Sequence, residues 1–263
     1  MSLFSTTLLY ESPTHKFFHL GWEEQEEEGY VQTNQYMIQD GDEVILLDPG
    51  GAHVFPRVLA NVAEVVDLSK VRHIFYTHQD PDVSSGVTLW LPIAERAKVY
   101  ISGLWTRFLP HFGVYDQRRI VPIPDGGGTL TLASGTQLQF IPSHFLHSTG
   151  CFSLYDPVSR ILFSGDIGAA VFPHGKRYPE VRDFDGHVQY MEGFHKRYMA
   201  SNTACRKWVD MVSRLDIDVI APQHGAVMKG EAARRFLNWL KDLRCGVDII
   251  DNFYNAQGKL SAR

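Results

Sequence analysis

The stretch YTHQDPDVSSG, residues 76–86, carries one histidine and two aspartates at every second position. His78, Asp80 and Asp82 follow directly after an apolar run, so they stand where a predicted strand ends. Alternate side chains of an extended backbone point to the same side, and Pro81 favours an extended conformation for the residue before it. The stretch therefore predicts three metal-binding side chains presented together, although a polar loop with two aspartates explains this segment alone equally well.

Three further segments repeat the pattern of an apolar strand that ends in a histidine or an aspartate beside glycine or proline. They are SHFLHS at 143–148, FSGD at 163–166 and PQHG at 222–225. Imidazoles and carboxylates are common metal ligands, and ligands of one site must arrive at one place. Four such strand ends in succession therefore predict a single metal site.

Bulk properties restrict the class of protein. The 263 residues suffice for one large domain, and 44% hydrophobic content is typical of a globular protein. The net charge of −5 and pI near 6.2 argue against nucleic-acid or anionic-membrane partners. The sequence has no stretch of about 18 apolar residues and no secretory signal, so we expect no membrane span and a cytoplasmic location. Cys151, Cys205 and Cys245 indicate neither a disulfide framework nor a thiolate zinc site.

Short predicted strands alternate with a few longer helices. The predicted strands cover residues 30–38, 43–48, 73–77, 98–102, 129–132, 137–142, 151–155, 160–163 and 216–220, and the predicted helices cover 53–66, 84–96, 190–208 and 231–254. Each half of the chain is rich in strands first and helical later. This order predicts two packed sheets with helices outside, in a single domain spanning residues 1–263.

The motifs together resemble the metallo-β-lactamase superfamily, whose metal site lies on loops at strand ends. The resemblance extends to three turns, TNQY at 33–36, LDPG at 47–50 and IAPQHG at 220–225, and it covers nearly the whole chain. It implies a fold of the α/β (α+β) class, namely the metallo-β-lactamase-like αββα sandwich.

Within the superfamily, the sequence is closer to the flavodiiron branch than to the hydrolases. Hydrolases carry His-x-His-x-Asp-His, whereas this chain has Asp80 at the second ligand position and Val83 at the last. Flavodiiron proteins have a carboxylate at the second position. The motifs HQDPDV at 78–83, HFLHSTG at 144–150 and LFSGD at 162–166 resemble the oxygen-binding di-iron proteins, which lack the flavodoxin domain.

This resemblance implies a non-haem di-iron site with six protein ligands. His78, Asp80 and His147 would hold the first metal. Asp82 and His224 would hold the second metal, and Asp166 would bridge the two. Three carboxylates and three imidazoles suit iron or manganese better than zinc, although manganese or zinc is also possible. Val83 in place of histidine is expected to leave the second metal an open position beside an apolar wall, which suits a diatomic ligand.

The implied function is binding of O2, with or without reduction of O2 or NO, for oxygen sensing, storage or detoxification. The chain ends at Arg263, where a flavodoxin domain would begin, and it has no phosphate-binding loop for FMN. We therefore expect turnover to need an external electron donor, a flavoprotein or a rubredoxin-like protein, and a homodimer is compatible with the family. The alternative is a dinuclear metallohydrolase acting on a thioester, lactone or phosphodiester, since two metals could still activate water. Whether the chain is an enzyme stays open.

Two further residues are candidates for a role beside the metals. Tyr198 falls where related proteins place a tyrosine near the di-iron pocket, although core packing with Phe194 explains it too. His144 could orient a ligand or donate to bound oxygen, or it could be an exposed loop residue. The other histidines that we considered, His73, His187 and His195, are assigned to ordinary core or loop positions.

Overall fold

Two β-sheets with helices on their outer faces make up the computed structural model, which describes residues 5–22 and 31–254. The seven strands of the first sheet lie in chain order: β1 (Thr7–Glu11), β2 (His15–His19), β3 (Tyr36–Asp40), β4 (Glu43–Leu47), β5 (Val71–Phe75), β6 (Lys98–Ser102) and β7 (Ile120–Ile123). Strands β1 to β4 pair antiparallel, and β4 to β7 pair parallel.

The second sheet has six strands in the order β13, β12, β11, β10, β9, β8. Their bounds are β8 (Gly128–Thr131), β9 (Gln137–Pro142), β10 (Phe152–Asp156), β11 (Ile161–Gly165), β12 (Val219–Pro222) and β13 (Met228–Lys229). Strands β11 and β12 pair parallel, and the other neighbours pair antiparallel. The parallel pair places the ends of β11 and β12 side by side, at the same edge of the sheet.

Helices α1 (Phe55–Val65), α2 (Pro81–Ser84) and α3 (Val87–Ile93) belong to the first half of the chain, and α4 (Phe184–Tyr198), α5 (Asn202–Val212) and α6 (Glu231–Asp242) to the second. Short 3-10 helices cover Leu68–Lys70, Thr106–Phe112, Gln117–Arg119 and Gly246–Asn252. None of the helices within residues 5–22 and 31–254 is long and apolar enough to cross a membrane.

The alternation of side chains along β4 shows why the layers form. Val44 and Leu46 belong to the apolar cluster that includes residues of α1 and α3, whereas Ile45 and Leu47 belong to the cluster between the two sheets. A third cluster joins the outer face of the second sheet to α4, α5 and α6. Strands buried on both faces read as continuous apolar runs. The predicted αββα sandwich is confirmed, whereas the extent of the domain over 1–263 stays a prediction because residues 1–4, 23–30 and 255–263 lie outside the described part.

Two of the predicted helices are interrupted. The segment 190–208 forms the end of α4 and most of α5, because Ser201 caps α5 by accepting a hydrogen bond from the Ala204 amide. Met199, between the two helices, pairs with Leu146 of the β9–β10 connection. Similarly, the predicted helix 231–254 ends at Asp242 and continues as the 3-10 helix from Gly246. The apolar spacing continued through both breaks, so the sequence pattern did not reveal them.

Candidate metal centre

All six candidate ligands follow the carboxyl ends of strands and lie together at one edge of the sandwich. His78, Asp80 and Asp82 follow β5, His147 lies in the connection after β9, Asp166 follows β11 and His224 follows β12. The structure thus brings together every residue of the predicted ligand set, and their roles as ligands stay a prediction.

The first group of side chains consists of His78, Asp80 and His147. The Nε2 atom of His147 lies 2.8 Å from Oδ2 of Asp80, and Nε2 of His78 lies 3.6 Å from the same oxygen. The two imidazole rings meet edge to face, with centroids 4.8 Å apart. Oδ2 of Asp166 faces this group, 3.6 Å from Nε2 of His147 and 4.0 Å from Nε2 of His78.

The second group consists of Asp82 and His224. Nε2 of His224 lies 3.3 Å from Oδ2 of Asp82 and 3.5 Å from Oδ1 of Asp166. The two carboxylate oxygens of Asp166 are therefore divided, one toward each group. A carboxylate in this position can bridge two cations.

The turn at Pro81 separates the two aspartates of the opening stretch. Asp80 is extended as expected, with ψ of 149°, but Pro81 begins helix α2 and Asp82 lies in its first turn. Proline is favoured at the first position of a helix because its fixed φ suits the helix and its missing N–H is not needed there. The expectation that three side chains would point the same way was wrong. Asp80 instead points to His147, and Asp82 points to His224.

His78 is oriented by a chain of buried hydrogen bonds. The Thr77 hydroxyl donates to Oδ2 of Asp48 over 2.6 Å, so it accepts from Nδ1 of His78 over 2.9 Å. The Thr77 amide also donates to Oδ1 of Asp48. Burial raises the pKa of Asp48 to about 7. A proton fixed on Nδ1 leaves the lone pair of Nε2 free for a metal.

His224 is oriented by the segment before β3. Its Nδ1 donates to the carbonyl of Gln32 over 2.9 Å, which again leaves Nε2 for a metal. The side-chain amide of Asn34 donates to the carbonyls of Pro222 and Gly225, on both sides of His224. Asn34 stood within the TNQY motif, so a signal for this role was present, but the sequence did not show what it contacts.

Charges in the centre balance in pairs. Burial lowers the pKa of His78 and of His224, but the surrounding carboxylates, with Asp166 the strongest, together outweigh burial and raise both pKa values to about 9. Burial raises the pKa of Asp80 and of Asp82, but the hydrogen bonds and the charges of the neighbouring imidazoles together outweigh it, so both carboxyl pKa values are lowered. A cation that binds here displaces protons from the imidazoles.

The residues present fit a pair of metal ions. Nε2 of His78 and Oδ1 of Asp166 are buried, and neither has a hydrogen-bond partner among the described residues. Buried polar atoms are normally satisfied, so atoms left open toward a common point indicate a ligand. Donor atoms of His78, His147 and Asp166 lie within 4.8 Å of one another. Mixed imidazole and carboxylate donors suit iron or manganese.

Aromatic rings cover His147 on the outer side. Phe194 stacks on its ring at 5.8 Å and Tyr198 lies at 5.3 Å, with Phe194 and Tyr198 stacked on each other. The side chain of Tyr198 is 52% exposed, so core packing does not describe it. His147 itself has a positive φ of 80°, which is uncommon for a residue other than glycine. Tyr198 is therefore beside a candidate ligand, and Phe194 is a contact that sequence reasoning had treated as core.

His144 contacts the connection between β7 and β8, and Val83 lies in an apolar cluster. Nε2 of His144 donates to the carbonyl of Asp125, in the connection between β7 and β8, and its ring packs edge to face on Phe152. This bond turns His144 toward that connection, so the structure does not bring it into the ligand group. Val83 is fully buried in the apolar cluster that includes Val87 of α3.

Each of the histidines assigned to ordinary positions makes at least one hydrogen bond to a neighbour. His195 donates from Nδ1 to the Met191 carbonyl and accepts at Nε2 from the Gly168 amide. Burial lowers its pKa to about 4, so it is neutral. Nδ1 of His187 lies 2.6 Å from the Tyr178 hydroxyl.

Comparisons with known proteins identify relatives. A family model described as ODP family beta lactamase matches residues 31–225. A solved structure described as the apo state of the chemotaxis sensor ODP from T. denticola is 51% identical and covers 95% of this chain and 99% of that chain, with a TM-score of 0.86. A second structure, described as a peroxy diiron species of the chemotaxis sensor ODP, has the same identity and TM-score and is covered completely.

Curated relatives are more distant and longer. The flavo-diiron protein FprA2 of Clostridium acetobutylicum is 25% identical over 206 residues, which is 75% of this chain and 50% of that protein. The chain thus spans about half the length of this curated relative.

Proposed function

Since the chain belongs to the ODP family of β-lactamase-like proteins, we propose that it binds O2 at a non-haem di-iron centre and acts as an oxygen sensor. The observation that carries the proposal is the division of the Asp166 oxygens between two groups of ligands. Two solved structures at 51% identity add support, because their descriptions name the chemotaxis sensor ODP and, in one case, a peroxy diiron species.

The proposed ligands follow the two groups of side chains. His78, Asp80 and His147 would hold the first iron, Asp82 and His224 the second, and Asp166 would bridge them. The iron pair would supply O2 binding and redox chemistry. The chain's own contribution is to orient the ligands: Asp48 and Thr77 fix His78, and Gln32 fixes His224.

The proposed centre is accessible to a small ligand. The side chains of Asp80 and Asp82 are 33% and 44% exposed, whereas those of His78 and Asp166 are buried. The imidazoles and the bridge are thus held within the protein, while the edge formed by the two aspartates meets solvent. The rings of Phe194 and Tyr198 shield His147 from water on its outer side.

Several finer points belong to the same proposal. O2 rather than NO is the proposed ligand, and sensing rather than reduction is the proposed role. If the centre turns over, electrons would come from an external flavoprotein or rubredoxin-like donor. A homodimer and a cytoplasmic location stay predictions from the sequence.

The test is metal analysis combined with an optical spectrum. Purified protein loaded with Fe²⁺ without air should contain about two iron per chain, as expected for a two-metal site. Exposure to air should produce a visible absorption band. Removal of O2 without an electron donor should reverse this band, as reversible binding by a sensor requires. A different result would contradict the proposal: about two zinc per chain, no absorption band, and turnover of a thioester, lactone or phosphodiester. The protein would then be a metallohydrolase.

A further inference from the structure

An apolar cavity of about 330 Å³ lies beside the segment that follows β5. The residues that form its apolar wall come from β6, from the following turn and from the 3-10 helix Thr106–Phe112: Ile101, Trp105, Phe108, Leu109 and Phe112. Phe108 is 39% exposed, so the cavity opens to solvent at this residue. Ile101 and Leu109 are buried and form its inner part.

The wall nearest the centre consists of Gln79 and Ser84. The side-chain amide of Gln79 donates to Oδ1 of Asp80 over 3.0 Å, and its oxygen accepts from the Ser148 hydroxyl over 3.0 Å. The Ser84 hydroxyl donates to the carbonyls of Gln79 and Asp80 at 3.0 and 3.1 Å. Asp80 is a proposed iron ligand, and Ser148 follows the proposed ligand His147. One side chain, Gln79, therefore stands between the cavity and the centre.

The chemistry of the cavity favours a small apolar molecule. Among the polar lining residues, Gln79 and Ser84 already make hydrogen bonds and His111 is exposed to water. The indole nitrogen of Trp105 lies against Gly150, so a polar guest would lose its own hydration for little return. Apolar cavities of about 150 Å³ are known to take up xenon or benzene. O2 is apolar, and transfer of such a molecule from water into apolar surroundings is favourable.

We propose that this cavity is a docking site for O2 on its way to the centre. The proposal rests on the proposed function, because it assumes that the centre takes O2. O2 would concentrate in the cavity and reach the metal centre beside Asp80 when the Gln79 side chain turns away from Asp80 and Ser148. The exposed edge of Asp80 and Asp82 supplies a second, aqueous route, so closing the cavity slows O2 binding without abolishing it.

Xenon tests the cavity independently of iron. Crystals of the protein under xenon pressure should show a xenon atom between Ile101 and Leu109. The variant Ile101→Phe should remove that site by filling the inner part, and Ile101→Leu is the matched control that keeps the volume. If Ile101→Phe does not fold, Phe108→Trp narrows the half-exposed mouth instead. Absence of xenon from the cavity of the unmodified protein overturns the proposal.

Rapid mixing of the reduced, iron-loaded protein with O2 tests the delivery. Ile101→Phe and Phe108→Trp should lower the association and dissociation rates by the same factor, at least about threefold, with affinity and iron content unchanged. Ile101→Leu should behave as the unmodified protein. Unchanged rates in a variant that has lost its xenon site overturn the proposal. Failure of the proposed function gives a different result: the unmodified protein takes up xenon but shows no iron-dependent absorption band. That result would also contradict a role of the cavity in delivering O2.

Discussion

The imidazole of His224 donates from Nδ1 to the carbonyl of Gln32, 2.9 Å away, although 192 positions separate the two residues. Gln32 precedes the third strand of the first sheet, whereas His224 follows β12 of the second sheet. The orientation of a proposed ligand of the second iron is thus set by the opposite half of the molecule. Folding of both halves is needed before this side of the centre exists.

Asn34→Asp should weaken the second metal position. The Asn34 amide is fully buried and donates to the carbonyls of Pro222 and Gly225, and an aspartate places a carboxylate against them instead. We expect a loss of about 1–3 kcal/mol in unfolding free energy, measured in urea, and a lower iron content. Gln39→Glu, in strand β3 that follows Asn34, is the control for the same amide-to-acid change. Unaltered iron content in Asn34→Asp would show that this amide does not position His224.

Asp166→Ala should release both metals, because it removes the carboxylate that faces both groups. We expect metal affinity to fall at least about 100-fold. Iron analysis after dialysis against a chelator measures this loss. Asp216→Asn, at an exposed aspartate, should retain iron like the unmodified protein. Full iron content in Asp166→Ala would contradict the bridging assignment.

Tyr198→Phe should leave the packing on His147 and Phe194 in place and remove only the hydroxyl. Iron content should then stay the same, and the free energy of unfolding should change by no more than about 0.5 kcal/mol. If the hydroxyl donates to bound oxygen, the O2-dependent absorption band should decay at a different rate, measured after mixing with air. The same lifetime in both proteins would assign Tyr198 to packing alone.

Val83→His tests whether position 83 reaches the second metal or belongs only to the apolar cluster. Val83 is completely buried in an apolar cluster, so an imidazole there lacks a partner and should cost about 1–3 kcal/mol in unfolding free energy. Thermal denaturation of the metal-free protein measures this cost, with Val83→Ile as the apolar control. A variant that regains stability only when iron is added, with an altered optical band, would instead show that the new histidine reaches the second metal.

His15 should make stability depend on pH. Its Nδ1 lies 3.1 Å from Asp40 and its Nε2 lies 2.8 Å from Asp156, which joins the first sheet to the second. Burial lowers the pKa of His15, but the bonds to Asp156 and Asp40 outweigh it, so the pKa is raised. Because the pKa of His15 is higher in the folded state, the stabilisation from its protonated form is complete below the unfolded-state pKa of about 6.5. That stabilisation is lost as the pH rises through the folded-state pKa.

His15→Gln should therefore be destabilised by about 3 kcal/mol at pH 6, because it leaves two buried carboxylates without their cation. The difference from the unmodified protein should shrink as pH increases, as followed by urea unfolding across the pH range. Asp156 lies beside the start of β11, opposite the end that carries Asp166, so iron content should not change. A pH-independent difference would show that His15 is neutral in the folded protein.

Much of the candidate centre could be predicted because its residue types are tied to strand ends. The histidines and aspartates of the four segments stand beside glycine or proline after apolar runs, and that local pattern survives in the structure. The break between α4 and α5 could not be predicted in the same way. Tyr198 and Cys205 keep helical spacing across it, while the contact that stabilises the break, between Met199 and Leu146, is far away in the chain.

The sequence by itself predicted the layered fold, because apolar periodicity is a local property, and its resemblance to the flavodiiron branch implied the set of six candidate ligands. The resemblance also implied how these residues divide into two groups, but only the tertiary structure shows what causes the division. Pro81 starts a helix rather than extending the strand, which sends Asp80 to His147 and Asp82 to His224. The orientation of the imidazoles likewise depends on partners such as Gln32, which only the packing of two sheets brings within hydrogen-bonding distance. Long-range contacts of this kind leave no periodic signal in the chain.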